Sequence, residues 1–151
     1  MAGIEIEIDD EAFMKEARKL LQKSENTNGL MKNIAAEMFS ITEESFQNER
    51  SPDGVAWTDL SPVTKVDKNK KGYGNQRKLV REGNYFESIT QKHSSKEAAV
   101  GSNAPQAGLL HFGGKAGVNK KVSVPARPHF GFGEDGKSRI QKVMENWFEI
   151  N

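Results

Sequence analysis

A chain of 151 residues, 35% of them hydrophobic and 28% charged, is long enough to bury one ordinary core, so we expect a single domain over residues 1–151. The absence of cysteine excludes disulfides and thiolate chemistry, and no apolar run reaches the ~20 residues that cross a bilayer, so no membrane partner is expected. The net charge of +1 is spread unevenly, at −5 over residues 1–50, +7 over 51–133 and −1 over 134–151, which allows complementary faces for self-association or basic loops for nucleic acid.

The first 50 residues contain one strand pattern and two helical patterns. Alternation of Ile4, Ile6 and Ile8 with glutamates predicts a strand that has one apolar face. A helix capped by Asp9 or Asp10 follows, and a second, longer helix is predicted after the polar SENTNG stretch. The apolar stripe of the first helix comprises Phe13, Ala17, Leu20 and Leu21, and that of the second comprises Leu30, Ile34, Met38, Ile41 and Ser45.

The middle of the chain contains turn and capping signals around a tryptophan. The SPDG sequence at 51–54 has the proline, aspartate and glycine preferences of a β-turn. Trp57 and Leu60 follow, and Ser61-Pro62 has the pattern of an N-cap with proline at the first helical position, which predicts a short helix. Because the residues that come next are basic and have little to bury, we expect a mobile loop near residues 65–78.

From Leu79 onwards, short strands and helical turns are mixed without regular alternation. The patterns predict a helix end or strand at 86–89, a strand at 98–100, a helical turn or two at 104–112, a strand at 122–124 and a last helix from near Asp135. A second mobile loop is expected near residues 113–121. We therefore expect an α+β fold, in which a small antiparallel or mixed β-sheet packs against a long N-terminal helix pair and a C-terminal helix. The buried face of the last helix comprises Ile140, Val143, Met144, Trp147 and Phe148.

The segment GFGEDGKS, residues 131–138, matches the phosphate-binding P-loop pattern at each fixed position. A functional P-loop follows a buried strand and needs an acidic residue on another strand to help hold Mg²⁺. Here Pro125 and Pro128 disfavour a central strand, and Glu134 and Asp135 would place two negative charges beside a polyphosphate. We interpret the segment as a glycine-rich turn in which Glu134 or Asp135 caps the last helix.

Other catalytic and metal-binding patterns are weak. His93, His111 and His129 are each 18 residues apart, and no H-x-x-x-H pattern or cysteine accompanies them. No G-x-S-x-G nucleophile motif occurs, and no carboxylate pair stands out. The sequence therefore predicts no catalytic residue, no metal site and no cofactor.

Two basic bands allow an alternative role in nucleic-acid binding. The first surrounds Tyr73, and the second lies in a stretch without acidic residues from 98 to 133. No base-reading motif accompanies them, so solvated or partner-facing loops are the other interpretation. The candidate basic-loop residues are Lys68, Lys70 and Lys71 in the first band, beside Lys65, Arg77, Lys78 and Arg81, and Lys115, Lys120 and Lys121 in the second, beside Arg127.

An ordered set of short motifs is more specific than any of these patterns alone. The set is SPDG-x-x-W-x-x-LSP-x-T (51–64), LV-x-x-G (79–83), SI (88–89), VGSN (100–103), HFGG (111–114) and PARP-x-x-G (125–131). In order and spacing it resembles the phage virion morphogenesis family, the Mu-like tail completion and head–tail joining proteins. The resemblance runs from about residue 28 to 150. One departure is His129, which occupies a position where members of the family often have an apolar residue.

The resemblance implies a small α+β subunit without enzymatic activity that completes a phage tail or joins it to the head. Such subunits assemble with themselves, often as a ring, so a homo-oligomer is expected. The other implied partners are tail tube, tail terminator or head connector proteins, and DNA that passes through a pore. The implied location is the tail or neck of the virion, after assembly in the cytoplasm of a bacterial host. The N-terminus agrees, because it lacks the basic-then-apolar order of a signal peptide.

The motif residues receive candidate roles in structure or in an interface. Trp57 and Leu60 are expected to anchor the loop after the long helix, and Gly113 and Gly114 to permit a tight turn or a close backbone approach. Arg127, held between Pro125 and Pro128, is the best candidate for an interface ion pair or a bidentate hydrogen bond, the alternative being an exposed arginine in a rigid turn. Gly83 and Phe112 complete the set of candidate interface or family-motif residues.

Overall fold

The computed structural model describes residues 10–22, 27–74, 76–79 and 85–150. The predicted strand at Ile4–Ile8 and the candidate residue Gly83 lie outside these ranges. Within them the fold is α+β, as the sequence predicts, although its strands form two separate antiparallel pairs. The helices are α1 (Glu11–Leu21), α2 (Asn28–Asn48), α3 (Pro62–Lys70), α4 (Ala107–Phe112) and α5 (Gly133–Ile150), the strands are β1 (Ile89–His93), β2 (Ala98–Ser102), β3 (Gly114–Ala116) and β4 (Val122–Val124), and 3-10 turns cover Tyr85–Ser88 and Val118–Lys120.

The three long helices form one layer around the first part of the core. Helix α1 begins after Asp10, whose carboxylate accepts a hydrogen bond from the Phe13 backbone N–H at 3.1 Å, as expected of an N-cap. Helix α5 packs against both α1 and α2. At Gly29 a β-carbon would lie 2.5 Å from the Trp147 ring, so glycine allows α2 and α5 to approach closely here. The buried residues of this layer are Ala17, Leu30, Met31, Ile34, Ile41, Ile140 and Met144.

The β1–β2 hairpin packs across α2 and covers the second part of the core. Its register pairs Ile89 with Ser102 and His93 with Ala98. The sequence predicts a helix end or a strand at residues 86–89. Both are present, because the 3-10 turn at Tyr85–Ser88 leads directly into β1. The buried residues here are Phe46, Trp57, Tyr85, Ile89, Ala107 and Phe130.

Helix α3 differs from the loop expected near residues 65–78, because it continues to Lys70. The predicted cap is present: Ser61 Oγ accepts a hydrogen bond from the Thr64 N–H at 3.2 Å, and Pro62 opens the helix. Lys68 is only 4% exposed, since its Nζ donates to the carbonyls of Gln76 and Arg77, both at 3.0 Å. The assignment of Lys68 to a basic loop for nucleic acid is therefore wrong, because its ammonium group is buried and hydrogen-bonded within the fold.

The P-loop pattern at 131–138 is a turn followed by the start of α5. Residues 125–129 before it form no strand, and α5 begins at Gly133, two residues earlier than the sequence predicts. Gly133 has φ of +58°, and a β-carbon there would lie 2.4 Å from the Pro52 carbonyl oxygen. Contact with the turn at 51–54 therefore fixes where the helix begins.

Candidate interaction surface

The segment at 125–130 is fastened to the Trp57 loop by side-chain hydrogen bonds to backbone carbonyls. Trp57 Nε1 donates to the Pro128 carbonyl at 2.7 Å. Arg127 Nε and one of its terminal nitrogens donate to the carbonyls of Thr58 and Asp59, both at 3.1 Å. These bonds cross about 70 residues of chain, and Arg127 is buried. The sequence leaves open an interface ion pair, a bidentate hydrogen bond or an exposed arginine in a rigid turn for Arg127. The structure shows a buried arginine that makes two hydrogen bonds within its own chain.

Burial of the Arg127 guanidinium lowers its pKa, while the charges of Asp59 and Glu49 oppose this effect. Arginine nevertheless stays protonated in proteins, so a positive charge lies in the interior here. Its fork geometry suits two neighbouring carbonyls in a way that an ammonium group does not. Arg127 therefore acts as an internal brace between two loops.

Two histidines meet beside this brace and form the histidine cluster, which comprises Tyr85, His111, Arg127 and His129. His129 is fully buried, and its Nδ1 lies 2.7 Å from the Arg127 carbonyl while its Nε2 lies 2.8 Å from the Tyr85 hydroxyl. The His111 Nδ1 accepts from the backbone N–H groups of His129 and Phe130, at 3.3 and 3.4 Å. His111 thus carries its proton on Nε2, His129 donates from Nδ1, and Tyr85 donates to His129.

Burial sets the protonation of the histidine cluster. It lowers the pKa of His129 to about 4, opposed by the Arg127 carbonyl and assisted by the nearby His111. Burial also lowers the pKa of His111, and it raises the pKa of Tyr85 to about 12. Both imidazoles are therefore neutral and the phenol is protonated near pH 7, which matches the donor and acceptor pattern.

Sequence reasoning placed Trp57, Arg127 and Pro128 in one motif set, and the structure brings these three residues together. It missed the histidine cluster, because equal spacing of histidines says nothing about distance. One signal was available: His129 stands where relatives often have an apolar residue, and such a substitution indicates a buried position. Leu60 and Pro125 lie half-buried beside this region.

Beyond α4, residues 113–124 form a hairpin that we call the arm. It consists of β3, the 3-10 turn at 118–120 and β4, with Gly114 opposite Val124 and Ala116 opposite Val122. Regular structure therefore occupies part of the segment that was expected to be a loop. At its base Gly113 has φ of +72°, and a β-carbon would lie 2.6 Å from the Ala126 nitrogen. Gly113 thus lies at the close backbone approach that its sequence context predicts.

The arm and its base expose apolar and basic side chains together. Phe112 is 66% exposed, and Val118 at the tip is 84% exposed. The candidate lysines Lys115, Lys120 and Lys121 are also exposed. A second set of exposed apolar residues lies on the turn after α2 and on α3, and consists of Val55, Val63 and Val66. These two sets are the candidate contact residues within the described ranges.

Two kinds of site considered from the sequence, a metal site and a phosphate-binding P-loop, can be compared with the described part of the chain. No group of three or more metal-ligating side chains converges among the described residues. Lys137, the lysine of the P-loop pattern, is ion-paired at 2.8 Å with both Asp10 and Glu134, whose hydrogen bonds raise its pKa. Within the same described ranges, no helix has the length and apolarity to cross a membrane.

Comparisons with known proteins find one protein family and two relatives from Mu-like prophages. The phage virion morphogenesis family matches residues 8–149. The Mu-like prophage FluMu G protein 2 of Haemophilus influenzae is 32% identical over 148 residues, which cover 97% of each chain. The Mu-like prophage FluMu G protein 1 of the same organism is 24% identical over 142 residues, or 93% of this chain and 92% of the relative. No solved structure matches the chain.

Proposed function

This chain belongs to the phage virion morphogenesis family, and we propose that it is a non-enzymatic structural subunit that completes the tail or joins the tail to the head. It acts as a homo-oligomer, in the form of a ring, at the tail end or neck of the virion. Its other partners are tail tube, tail terminator or head connector proteins. It is assembled in the cytoplasm of a bacterial host.

The observation that carries this proposal is the family match over nearly the whole chain, since 142 consecutive residues fall within it. The structure gives physical support. The motif residues Trp57, Arg127 and Pro128 form an internal brace, which holds the loops next to the arm in place. Exposed valines and Phe112 then provide an apolar surface for neighbouring proteins.

Mass measurement with candidate partners tests the proposal. The purified chain is measured by light scattering alone, and then after mixing with tail tube, tail terminator or head connector proteins from the same phage. We expect an oligomer alone and a defined complex with at least one of these partners. A chain that remains monomeric and binds none of them would contradict the proposed function.

A nucleic-acid-binding module is the second candidate, and the exposed lysines of the arm favour it. The first basic band supports it less well than its sequence suggests, because Lys68 is buried and Lys71 is paired with Asp67 at 3.4 Å. Binding through phosphates falls steeply as salt rises. Filter binding of double-stranded DNA between 50 and about 300 mM salt separates the two candidates: tight, salt-sensitive retention would favour the nucleic-acid role.

A further inference from the structure

The base of the arm is closed by a side-chain acceptor in the place of a backbone carbonyl. The end of α4 and the segment that follows the arm lie side by side, and the Arg127 N–H donates to the Leu110 carbonyl at 2.9 Å. The next two N–H groups on that segment, those of His129 and Phe130, donate to the Nδ1 of His111 at 3.3 and 3.4 Å. Two buried backbone donors therefore share one lone pair.

Only the neutral form of His111 can be this acceptor. A neutral imidazole with its proton on Nε2 has a lone pair on Nδ1, whereas an imidazolium carries an N–H on both nitrogens. A second proton on His111 would set one N–H group against the two backbone donors. It would also leave those donors unsatisfied in the interior, which is costly. Protonation and this contact therefore exclude each other.

The two sides of the contact are fastened unequally. Trp57 and Arg127 hold the segment after the arm through three hydrogen bonds to backbone carbonyls. These bonds persist in mild acid, because arginine and the indole N–H keep their protons. The end of the six-residue helix α4 is tied to the same segment at Leu110 and His111, while the other end of α4 is anchored by the buried Ala107. Loss of the histidine contact therefore frees the end of α4 and not the braced segment.

We infer that His111 is an acid-sensitive latch, whose protonation releases the end of α4 and the arm from the braced segment while the layer formed by α1, α2 and α5 stays folded. The latch is the contact of His111 Nδ1 with the N–H groups of His129 and Phe130. This inference goes beyond the proposed function, because it concerns what controls the position of the arm and holds for any partner of the arm.

The surroundings of the latch disfavour a positive charge on His111 in the closed form. Its ring lies between the rings of Phe112 and Phe130, with centroid distances of 4.7 and 5.8 Å. Burial lowers the pKa of His111. A released histidine has a pKa of ~6.5, so the closed form is favoured above this pH and is lost as the pH falls below it. The titratable and charged groups around His111 are His129, with its ring centroid 5.1 Å away, Tyr85 and Arg127, and behind them Asp59 and Glu49, whose charges act on Arg127.

Hydrogen–deuterium exchange of the intact chain at pH 7 and pH 5 tests the latch. Exchange rates are divided by those of unstructured peptides at the same pH, so that the intrinsic pH dependence cancels. Peptides that cover α4 and residues 126–131 should lose about tenfold protection at pH 5, the order expected when a histidine of pKa ~6.5 is freed from burial. Because a local opening exposes little surface, 1 M urea should leave this exchange nearly unchanged. Peptides from α2 and α5 should exchange more slowly and should be accelerated by urea.

His111→Gln is the variant that isolates the latch, since an amide oxygen can accept the two N–H groups but does not titrate. It should keep at least most of the protection of α4 between pH 7 and pH 5. His93→Gln is the matched control, because His93 is exposed at the end of β1, and it should behave as the unsubstituted chain does. A tenfold loss that persists in His111→Gln would overturn the inference. So would equal exchange and equal urea dependence of α4, α2 and α5 at pH 5, because the whole fold would then open at once.

Nitrogen-15 NMR of the histidine rings tests the same contact in the unsubstituted chain, whether or not His111→Gln folds. At pH 7 we expect His111 with its proton on Nε2, and its conversion to the imidazolium should coincide with the loss of protection in α4. A proton on Nδ1 of His111 at pH 7, or an opening of α4 at a pH where His111 stays neutral, would contradict the latch. Either result leaves the proposed function untouched, because that is tested by partner binding at neutral pH.

Discussion

At the scale of single residues, His129 is held in one protonation state by its surroundings. It is fully buried between the Tyr85 hydroxyl and the Arg127 carbonyl, with His111 beside it. A proton on Nε2 would displace the Tyr85 hydrogen bond and place a positive charge in the buried interior, beside His111. Neutral His129 is therefore part of the native structure.

The depressed pKa of His129 predicts loss of stability in mild acid. Its folded value of about 4 lies below the unfolded value of ~6.5, so the stabilisation is complete above pH 6.5 and is lost as the pH falls towards 4. Between pH 7 and pH 5 we expect the free energy of unfolding to fall by about 2 kcal/mol, and His111 acts in the same direction. Urea unfolding at a series of pH values measures this slope.

His129→Gln is the comparison variant, because an amide can hydrogen-bond but does not titrate. The carboxylates with lowered pKa, those of Asp10, Glu49 and Asp59, lose their contribution as the pH falls through their unfolded pKa values of about 4 to 4.5, so most of this loss lies below the window from pH 7 to 5. A slope that is unchanged in His129→Gln would show that the buried imidazole is not responsible.

Arg127 supplies a second prediction at this scale. Arg127→Ala leaves the carbonyls of Thr58 and Asp59 without their buried donors, and we expect a loss of about 3 kcal/mol of stability. Arg77→Ala, at an exposed arginine, should change stability by no more than about 0.5 kcal/mol. Chemical denaturation of both variants gives the comparison. Similar small effects would mean that the brace contributes little.

At the scale of elements, the parts of the fold that depend on local sequence could be predicted. The turn at 51–54, the Ser61 cap and the buried face of α5 all follow from residues a few positions apart. The burial of Lys68 could not be predicted, because it depends on hydrogen bonds to carbonyls eight and nine residues further along the chain. The contact between His111 and His129 could not be predicted for the same reason. It depends on how the chain from α4 through the arm and β4 returns to His111.

The close packing of α2 against α5 gives a prediction about glycine. Alanine normally stabilises a helix relative to glycine by up to ~1 kcal/mol. At Gly29, however, the added methyl would lie 2.5 Å from the rigid Trp147 ring, so we expect Gly29→Ala to destabilise the protein. At Gly108 in α4, a β-carbon meets nothing within 4 Å, so Gly108→Ala should be neutral or stabilising. Thermal unfolding of both variants measures the sign, and stabilisation by Gly29→Ala would contradict the packing described.

At the scale of the whole molecule, the fold separates a braced interior from a surface with exposed apolar side chains. The interior hydrogen bonds of Trp57 and Arg127 hold the loops around the base of the arm. The arm itself places Val118 and its lysines outside that framework. The chain that shows this division belongs to the phage virion morphogenesis family.

The most direct test of this account is a count of particles made without the chain. An in-frame deletion is introduced into the genome that encodes it, particle production is induced, and the lysate is imaged by electron microscopy. We predict separate heads and unfinished or unjoined tails, with at least tenfold fewer joined particles, and recovery when the intact gene is supplied in trans. Joined, infectious particles at the normal number in the deletion would contradict the account.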